Sequence, residues 1–154
     1  MVQEWQGGTS GAGFRFGIIV SRFNQSITDP LLKGALQLLE ARGTGVEDIE
    51  IVRVPGAFEL PGAAKKLGRL GRFDALICLG AVIKGETPHF HYISAEVSRG
   101  LGQLSLDLEL PVIFGVLTTD SMSQALARSG DEINKGTEAA MAAIEMAHLY
   151  RKLK

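Results

Sequence analysis

Residues 74–91 read DALICLGAVIKGETPHFH, an apolar run followed by a polar, glycine-containing segment and a Thr-Pro pair. The apolar half is continuous rather than alternating, which is typical of a parallel strand covered on both faces. The Thr87-Pro88 pair is a helix-entry signal. The stretch therefore predicts a strand, a loop and the first turn of a helix, the repeating unit of α/β folds.

Three further apolar runs predict strands of the same kind. The four predicted strands cover residues 14–21, 49–54, 74–82 and 112–118. Helical patterns separate them, with apolar residues recurring every three or four positions. We expect helix starts at Asp29-Pro30, near Leu60, after Thr87-Pro88 and at the capping sequence 121–124, and an Ala-rich helix over about residues 135–152.

The alternation of strands and helices predicts one α/β domain over residues 14–154, a three-layer α/β/α sandwich with a four-stranded parallel sheet. Residues 1–13 predict a short polar tail and a Gly-rich connector, and we expect the tail to leave the domain. Ligands of such sheets bind outside the carboxyl ends of the strands. The segments that follow the strands are therefore the expected location of the chemistry.

The composition argues against several classes of function. The chain has 154 residues, with 16 Lys and Arg against 17 Asp and Glu, so it lacks the basic surplus of a nucleic-acid binder. No apolar run approaches the roughly 18 residues that cross a bilayer, and residues 1–5 show no signal-peptide pattern. We expect a cytoplasmic protein with neither nucleic acid nor membrane as a partner. Its single cysteine, Cys78, lies in an apolar run and is expected to be buried.

Two strand ends carry side chains with more than one interpretation. Phe23 follows the first strand, where its ring could stack on a planar ligand or fold back onto the core. Glu59 follows the second strand at the start of the next helix, where its carboxylate could cap the helix or accept hydrogen bonds from sugar-like hydroxyls. The sequence leaves both alternatives open.

The segment after the third strand carries the strongest chemical signal. Gly85 allows a ligand to approach the backbone closely, and Thr87 with the free N–H groups of the new helix can hold an anion. His89, in the first turn, can donate and accept protons near neutral pH. His89 and His91 face different sides of a helix, so we expect no metal site. No nucleotide-binding glycine pattern is present, and no cofactor is expected.

Taken together, the strand-end segments resemble the lumazine synthase family of the riboflavin pathway. The matching segments, in the same order and at near the same spacing, are SRFN at 21–24, VPGAFELP at 54–61, GETPHF at 85–90, FGVLT at 114–118, NKG at 134–136 and AIEMA at 143–147. Each segment alone is a weak signal, and the set is specific. Two features depart from the family pattern: His91 replaces an acidic residue, and the stretch 128–135 is one residue shorter than the usual bacterial spacing.

The resemblance implies a flavodoxin-like fold and a transferase that condenses 5-amino-6-(D-ribitylamino)uracil with 3,4-dihydroxy-2-butanone 4-phosphate. The product would be 6,7-dimethyl-8-ribityllumazine, released with phosphate and water in the penultimate step of riboflavin biosynthesis. The resemblance also implies a homo-oligomer, either a pentamer or a 60-subunit icosahedral shell, with riboflavin synthase as a candidate partner. In such an assembly the N-terminal tail would add a strand to a neighbouring subunit's sheet.

The same resemblance implies a role for each site residue. Phe23 would stack on the pyrimidine, and His89 would move protons. The main chain at the end of the third strand would read the pyrimidine edge, through Ala81, Val82 and Ile83. The ribityl chain would be held by Ala57, Phe58 and Glu59, and the phosphorylated substrate by Glu86, Thr87 and Arg128. Three residues would reach the site from a neighbouring subunit, namely Phe114, Arg128 and Lys135.

Two alternative functions would use the same fold without catalysis. One is a flavin- or lumazine-binding relative, and the other is a mainly structural or storage shell. The joint presence of Phe23, His89 and Arg128 argues against the binding protein, because binding alone needs no proton shuttle. Turnover of the two substrates would separate the enzyme from both alternatives.

Overall fold

The computed structural model describes residues 1–154 and is built around one parallel sheet. Its strands, in the spatial order β2-β1-β3-β4, are β1 (Phe16–Ser21), β2 (Ile49–Val54), β3 (Ala75–Ile83) and β4 (Val112–Thr119). All neighbouring strands run parallel, and Ile18 of β1 lies between Ile51 of β2 and Ile77 of β3. The predicted four-stranded sheet is confirmed, with every strand end within two residues of its expected position.

Five α-helices cover the two faces of the sheet. They are α1 (Gln25–Ala41), α2 (Leu60–Gly68), α3 (His89–Leu108), α4 (Met122–Ala127) and α5 (Lys135–Lys152). Apolar residues of α1, α4 and α5 form one core cluster with the sheet, and those of α2 and α3 form the other. The three-layer α/β/α sandwich is therefore confirmed.

The two central strands divide their side chains between these clusters. Ile18 and Ile77 belong to the cluster with α1 and α5, whereas Ile19 and Cys78 belong to the one with α2 and α3. Because successive strand side chains point to opposite faces, two covered faces require a continuous apolar run. Cys78 is fully buried as expected, and its burial raises the pKa of the thiol to about 12.

The start of α1 differs from the prediction. The helix begins at Gln25, four residues before the expected start at 29–30. The main-chain carbonyl of Asn24 accepts two hydrogen bonds of 2.9 and 3.0 Å from the first turn, so the helix forms directly after the strand-end segment. Pro30 consequently lies inside α1, where it cannot supply the N–H that would bond to the carbonyl four residues earlier.

The start of α4 matches the predicted capping sequence. Ser121 Oγ accepts the main-chain N–H of Gln124 at 3.2 Å. The side chain of Gln124 returns to the N–H of Asp120 at 2.8 Å rather than to that of Ser121. The cap is present, with its reciprocal bond displaced by one residue.

The amino-terminal residues form no helix or strand, and the connector lies against α5. His148 Nε2 is 2.6 Å from the carbonyl oxygen of Ser10, and Lys152 Nζ donates to the carbonyl of Gln6 at 2.8 Å. A side chain at Gly7 would overlap Glu145 of α5. The connector therefore follows the surface of the last helix, whereas residues 1–5 are exposed.

Paired charges lie at the amino-terminal edge of the sheet. Arg72 makes two hydrogen bonds of 2.7 Å to the Glu50 carboxylate, and Arg151 of α5 lies 3.2 Å from Asp74. The hydrogen bonds from Arg72 hold the pKa of Glu50 below its ordinary value. Exposed pairs of this kind contribute little stability, and they lie at the edge opposite the strand ends that carry the chemistry.

Gly136 in α5 marks a close approach to α1. A Cβ at this position would overlap the main-chain carbonyl oxygen of Leu31. Gly136→Ala is therefore expected to lower the free energy of unfolding by about 2–3 kcal/mol, because the two helices must shift apart. Denaturant unfolding measures the loss.

Gly62 of α2 provides the matched control. A Cβ there would meet nothing within 4 Å. Gly62→Ala should be neutral or stabilising by up to about 1 kcal/mol, since alanine favours the helix. Equal stability of the parent protein and Gly136→Ala would contradict the close packing of α1 against α5.

Candidate active site

A cavity of about 660 Å³ lies beyond the carboxyl ends of β1, β2 and β3, where the topology predicts a ligand site. Its volume falls in the range that holds a small organic ligand. Three segments build its walls: the residues after β1, the turn between β2 and α2, and the end of β3 with the start of α3. Nine predicted site residues line it, namely Phe23, Ala57, Phe58, Glu59, Ala81, Val82, Ile83, Thr87 and His89.

Two aromatic rings at this cavity are largely exposed. Phe23 is 69% and Phe58 55% exposed, although both are apolar. The backbone before Phe23 is fixed to the next segment by Arg22 N–H donating to Val54 O at 2.8 Å and Phe23 N–H donating to Pro55 O at 2.9 Å. The alternative in which Phe23 folds back onto the core is therefore wrong, and its ring faces are available for stacking.

Glu59 makes no side-chain cap to α2, so that interpretation is wrong, but its carboxylate bonds within the turn before the helix and lines the cavity. Its Oε2 accepts the main-chain N–H of Gly56 at 3.0 Å, which ties the turn before α2 together. The bond to Gly56 and a place at the cavity are thus compatible in space. Hydrogen bonding of Glu59 to ligand hydroxyls stays a prediction.

The end of β3 presents main-chain groups to the cavity. The β1–β3 pairing ends at Val20 and Leu79, whereas β3 continues beside β4 as far as Ile83. The last residues of β3 therefore have no strand partner on the β1 side, where the cavity lies. The Ala81 carbonyl in this segment accepts a hydrogen bond from Asn24 Nδ2 at 3.1 Å. Main-chain donors and acceptors without a strand partner can read the polar edge of a planar ligand.

The start of α3 places Thr87 and His89 at the cavity. Pro88 precedes the helix and provides no side-chain cap, so the first N–H groups of α3 are not satisfied by a capping side chain. Thr87 and His89 are exposed and line the cavity, as predicted. Glu86 is exposed but does not line it, and His91 instead packs edge-on against Phe90 with ring centroids 5.3 Å apart.

The remaining three predicted residues lie in a different part of the protomer. Phe114, Arg128 and Lys135 line a second cavity of about 410 Å³ along β4, the edge strand of the sheet. Phe114 pairs with Cys78, three residues before Ala81 on β3. Since β3 lies between β4 and β1, Phe114 of the same chain is not part of the first cavity.

The two cationic side chains of this second cavity differ in their contacts. Lys135 Nζ lies 3.2 Å from the Glu138 carboxylate. Arg128 is exposed, donates from Nη1 to the carbonyl of Gln124 at 2.9 Å, and forms no ion pair within the chain. Its charge is therefore available to an anion.

The cavity also contains residues to which the sequence pattern assigns no ligand role, among them Asn24, Phe90 and Ile93. Ile93 belongs to the apolar stripe of α3, so its pattern is that of a core residue. Asn24 carries a more specific signal, because an asparagine between a strand and a helix is suited to the left-handed conformation that it adopts here.

The chain contains no group of three or more His, Cys, Asp or Glu side chains placed to hold a metal ion. None of its helices combines the length and apolar composition needed to span a bilayer. The polar side chains at the first cavity include those of Asn24, Glu59, Thr87 and His89.

Comparison with protein families supports the resemblance based on the strand-end segments. The family model described as 6,7-dimethyl-8-ribityllumazine synthase matches residues 13–151 of the 154-residue chain. The matched range contains the entire sheet and every predicted site residue. The chain therefore belongs to the 6,7-dimethyl-8-ribityllumazine synthase family of enzymes.

Proposed function

We propose that this enzyme condenses 5-amino-6-(D-ribitylamino)uracil with 3,4-dihydroxy-2-butanone 4-phosphate to 6,7-dimethyl-8-ribityllumazine, with release of phosphate and water. The observation that carries the proposal is the content of one cavity: an exposed aromatic ring at Phe23, an open main-chain edge on β3 and an imidazole at His89. These groups match a planar pyrimidine and a reaction that moves protons.

In this proposal the pyrimidine stacks on Phe23 while the main chain of residues 81–83 hydrogen-bonds to its edge. The ribityl chain extends along the turn at 57–59, where the Glu59 carboxylate accepts bonds from its hydroxyls. The positions of these residues around one cavity of about 660 Å³ support this arrangement. The ring and the chain are thereby fixed at separate points, which limits the motion of the reacting amine.

The phosphorylated substrate occupies the start of α3 in the same proposal. Thr87, with Glu86 on the loop beside it, holds this substrate, and Arg128 of a neighbouring subunit binds its phosphate. The open N–H groups of a helix start favour an anion, and a guanidinium can bind phosphate through two charge-assisted hydrogen bonds. The absence of an acidic partner for Arg128 within its own chain supports this role.

The chemistry then follows from alignment and proton transfer. The amine adds to the ketone and a first water leaves to give an imine, and phosphate is eliminated as a neighbouring carbon loses a proton. The ribityl-bearing amine then adds to the remaining carbonyl carbon, and a second water leaves as the ring closes. Holding both substrates in register can lower such a barrier by roughly 7–11 kcal/mol. His89 at the cavity supplies and removes protons, which contributes a further factor of about 10²–10⁴.

Homo-oligomerisation is part of this proposal, as a pentamer or a 60-subunit shell in the cytoplasm, with riboflavin synthase as a candidate partner. The separation of Phe114, Arg128 and Lys135 from the first cavity supports it, because these residues can complete a site only between protomers. The exposed tail of residues 2–6 would add to a neighbour's sheet, whose outer strands β2 and β4 each have one free edge.

The decisive experiment combines the purified protein with both substrates. We expect lumazine fluorescence and phosphate to appear together in equal amounts, and neither to appear when one substrate is omitted. Folded, assembled protein that produces neither would overturn the proposal. Saturable binding of the lumazine without turnover would indicate a binding protein, and an assembled particle without binding or turnover would indicate a structural shell.

A further inference from the structure

Asn24 stands out because its backbone conformation is rare for a residue other than glycine. Its φ of 61° and ψ of 48° lie in the left-handed region, which only one other non-glycine residue of the chain, Glu109, also occupies. Asparagine tolerates this region better than most residues. The unusual conformation occurs directly between Phe23 and the first turn of α1.

The side chain of Asn24 does not cap α1, although asparagine at this position commonly caps a helix. Asparagine before a helix usually accepts a hydrogen bond from the first turn, but the side chain of Asn24 makes no capping bond to α1. Instead its Nδ2 donates to the main-chain carbonyl of Ala81 at 3.1 Å, across a sequence separation of 57 residues. The amide thus connects the segment after β1 to the end of β3.

This connection continues the sheet where the strand pairing has stopped. The last β1–β3 pair is Val20 with Leu79, and the Asn24 amide provides a bond beyond it. On the opposite side, the main chain of Phe23 is bonded to Pro55 at 2.9 Å. The segment that carries the exposed ring is therefore fixed from both sides, by a main-chain bond on one side and by the Asn24 amide on the other.

Building on the proposed function, we infer that Asn24 is a positioning residue that sets the distance between the Phe23 ring and the main-chain edge at residues 81–83. Both surfaces would contact the pyrimidine, whereas neither would contact the phosphorylated substrate. The amide therefore controls affinity for the pyrimidine selectively. Because it acts through Phe23 and Ala81, its loss changes binding more than the later proton transfers.

Two substitutions separate this role from a structural one. Asn24→Asp keeps the size of the side chain and the tolerance for the left-handed region, but it places a carboxylate oxygen against the Ala81 carbonyl, where both groups are acceptors. An aspartate before a helix can also cap it and complement its dipole, so the variant should fold normally. Asn24→Gly keeps the backbone conformation and removes the amide entirely.

The measurement is the affinity of each variant for the pyrimidine alone, by calorimetry, together with KM for both substrates. Loss of one hydrogen bond predicts an approximately 5- to 10-fold weaker Kd and higher KM for the pyrimidine, with KM for the phosphorylated substrate within about twofold. Glu109→Gly, at the end of α3, is the control for replacing a left-handed residue and should leave both values unchanged.

Unchanged pyrimidine affinity in folded Asn24→Asp and Asn24→Gly would overturn the inference, and so would an equal loss for both substrates. Failure of the proposed function itself has a different signature, since the parent protein would then show no turnover. If one variant fails to fold, as judged by its Tm, the other still decides the question, because they differ in size and charge.

Discussion

Replacing Arg128 by alanine is expected to raise KM for the phosphorylated substrate about 100-fold or more while leaving pyrimidine affinity within about threefold. The guanidinium has no acidic partner in its own chain, so its charge would be matched only by the phosphate. Two hydrogen bonds to a charged group contribute about 1.5–3 kcal/mol each, and every 1.4 kcal/mol corresponds to about a factor of ten. Steady-state kinetics with each substrate varied in turn measures the change in KM for the phosphorylated substrate and for the pyrimidine separately.

Arg128→Lys is the matched control for this prediction. It keeps the positive charge but replaces the planar fork by a single ammonium. We expect an intermediate KM for the phosphorylated substrate. An equal loss of affinity for both substrates in Arg128→Ala would contradict the assignment of this residue to phosphate.

The second large effect is expected from His89→Ala, which should lower kcat about 100-fold and leave both KM values nearly unchanged. The imidazole lines the cavity and is exposed at the first position of α3, so its removal leaves the walls that align the substrates in place. General acid–base catalysis of this kind contributes about 10²–10⁴. Pre-steady-state and steady-state rates of lumazine formation provide the measurement.

His91→Ala is the corresponding control, because His91 is exposed on the same helix and does not line the cavity. Its kcat should stay within about twofold of the parent value, as for most surface substitutions. Complete loss of activity in an intact His89→Ala assembly would show that the imidazole does more than move protons.

Mixed assemblies of these two variants test whether the site is shared between protomers. If Arg128 of one subunit completes the cavity of the next, random mixing of equal amounts of His89→Ala and Arg128→Ala chains places an intact His89 beside an intact Arg128 at about one quarter of the interfaces. We expect the mixed assembly to be more active than an assembly of either variant alone. No recovery in verified mixed particles would place Arg128 and His89 in separate functions.

Much of the fold could be predicted because apolar runs typical of strands alternate along the chain with apolar spacing typical of helices. The near-continuous apolar runs located all four strands, since a sheet covered on both faces favours apolar residues at most positions of its strands. The start of α1 could not be predicted from the Asp29-Pro30 signal, because the left-handed turn at Asn24 begins the helix earlier. The side chain in that turn bonds to Ala81, a residue far away in the sequence that no local helix signal includes.

The candidate site was predictable to a similar degree and for a related reason. Parallel strands bring their carboxyl ends to one edge, so Phe23, residues 57–59 and His89 could be grouped without coordinates. The ring of Phe114 could not be placed by that rule, because it lies in the middle of an edge strand. The role proposed for it would depend on contacts between chains, which no pattern within one chain encodes directly.

The attachment of the connector to α5 limits how far the tail can extend. With Gln6 held by Lys152 and Ser10 held by His148, residues 1–5 lie beyond the attached part of the connector and can reach outward. An extended chain spans at most about 3.3–3.6 Å per residue, so this segment reaches no further than about 18 Å from Gln6. Any adjacent molecule that receives the tail must come within that radius of the end of α5. Two hydrogen bonds on one helix thus set an upper limit on the spacing of neighbours that the tail can join.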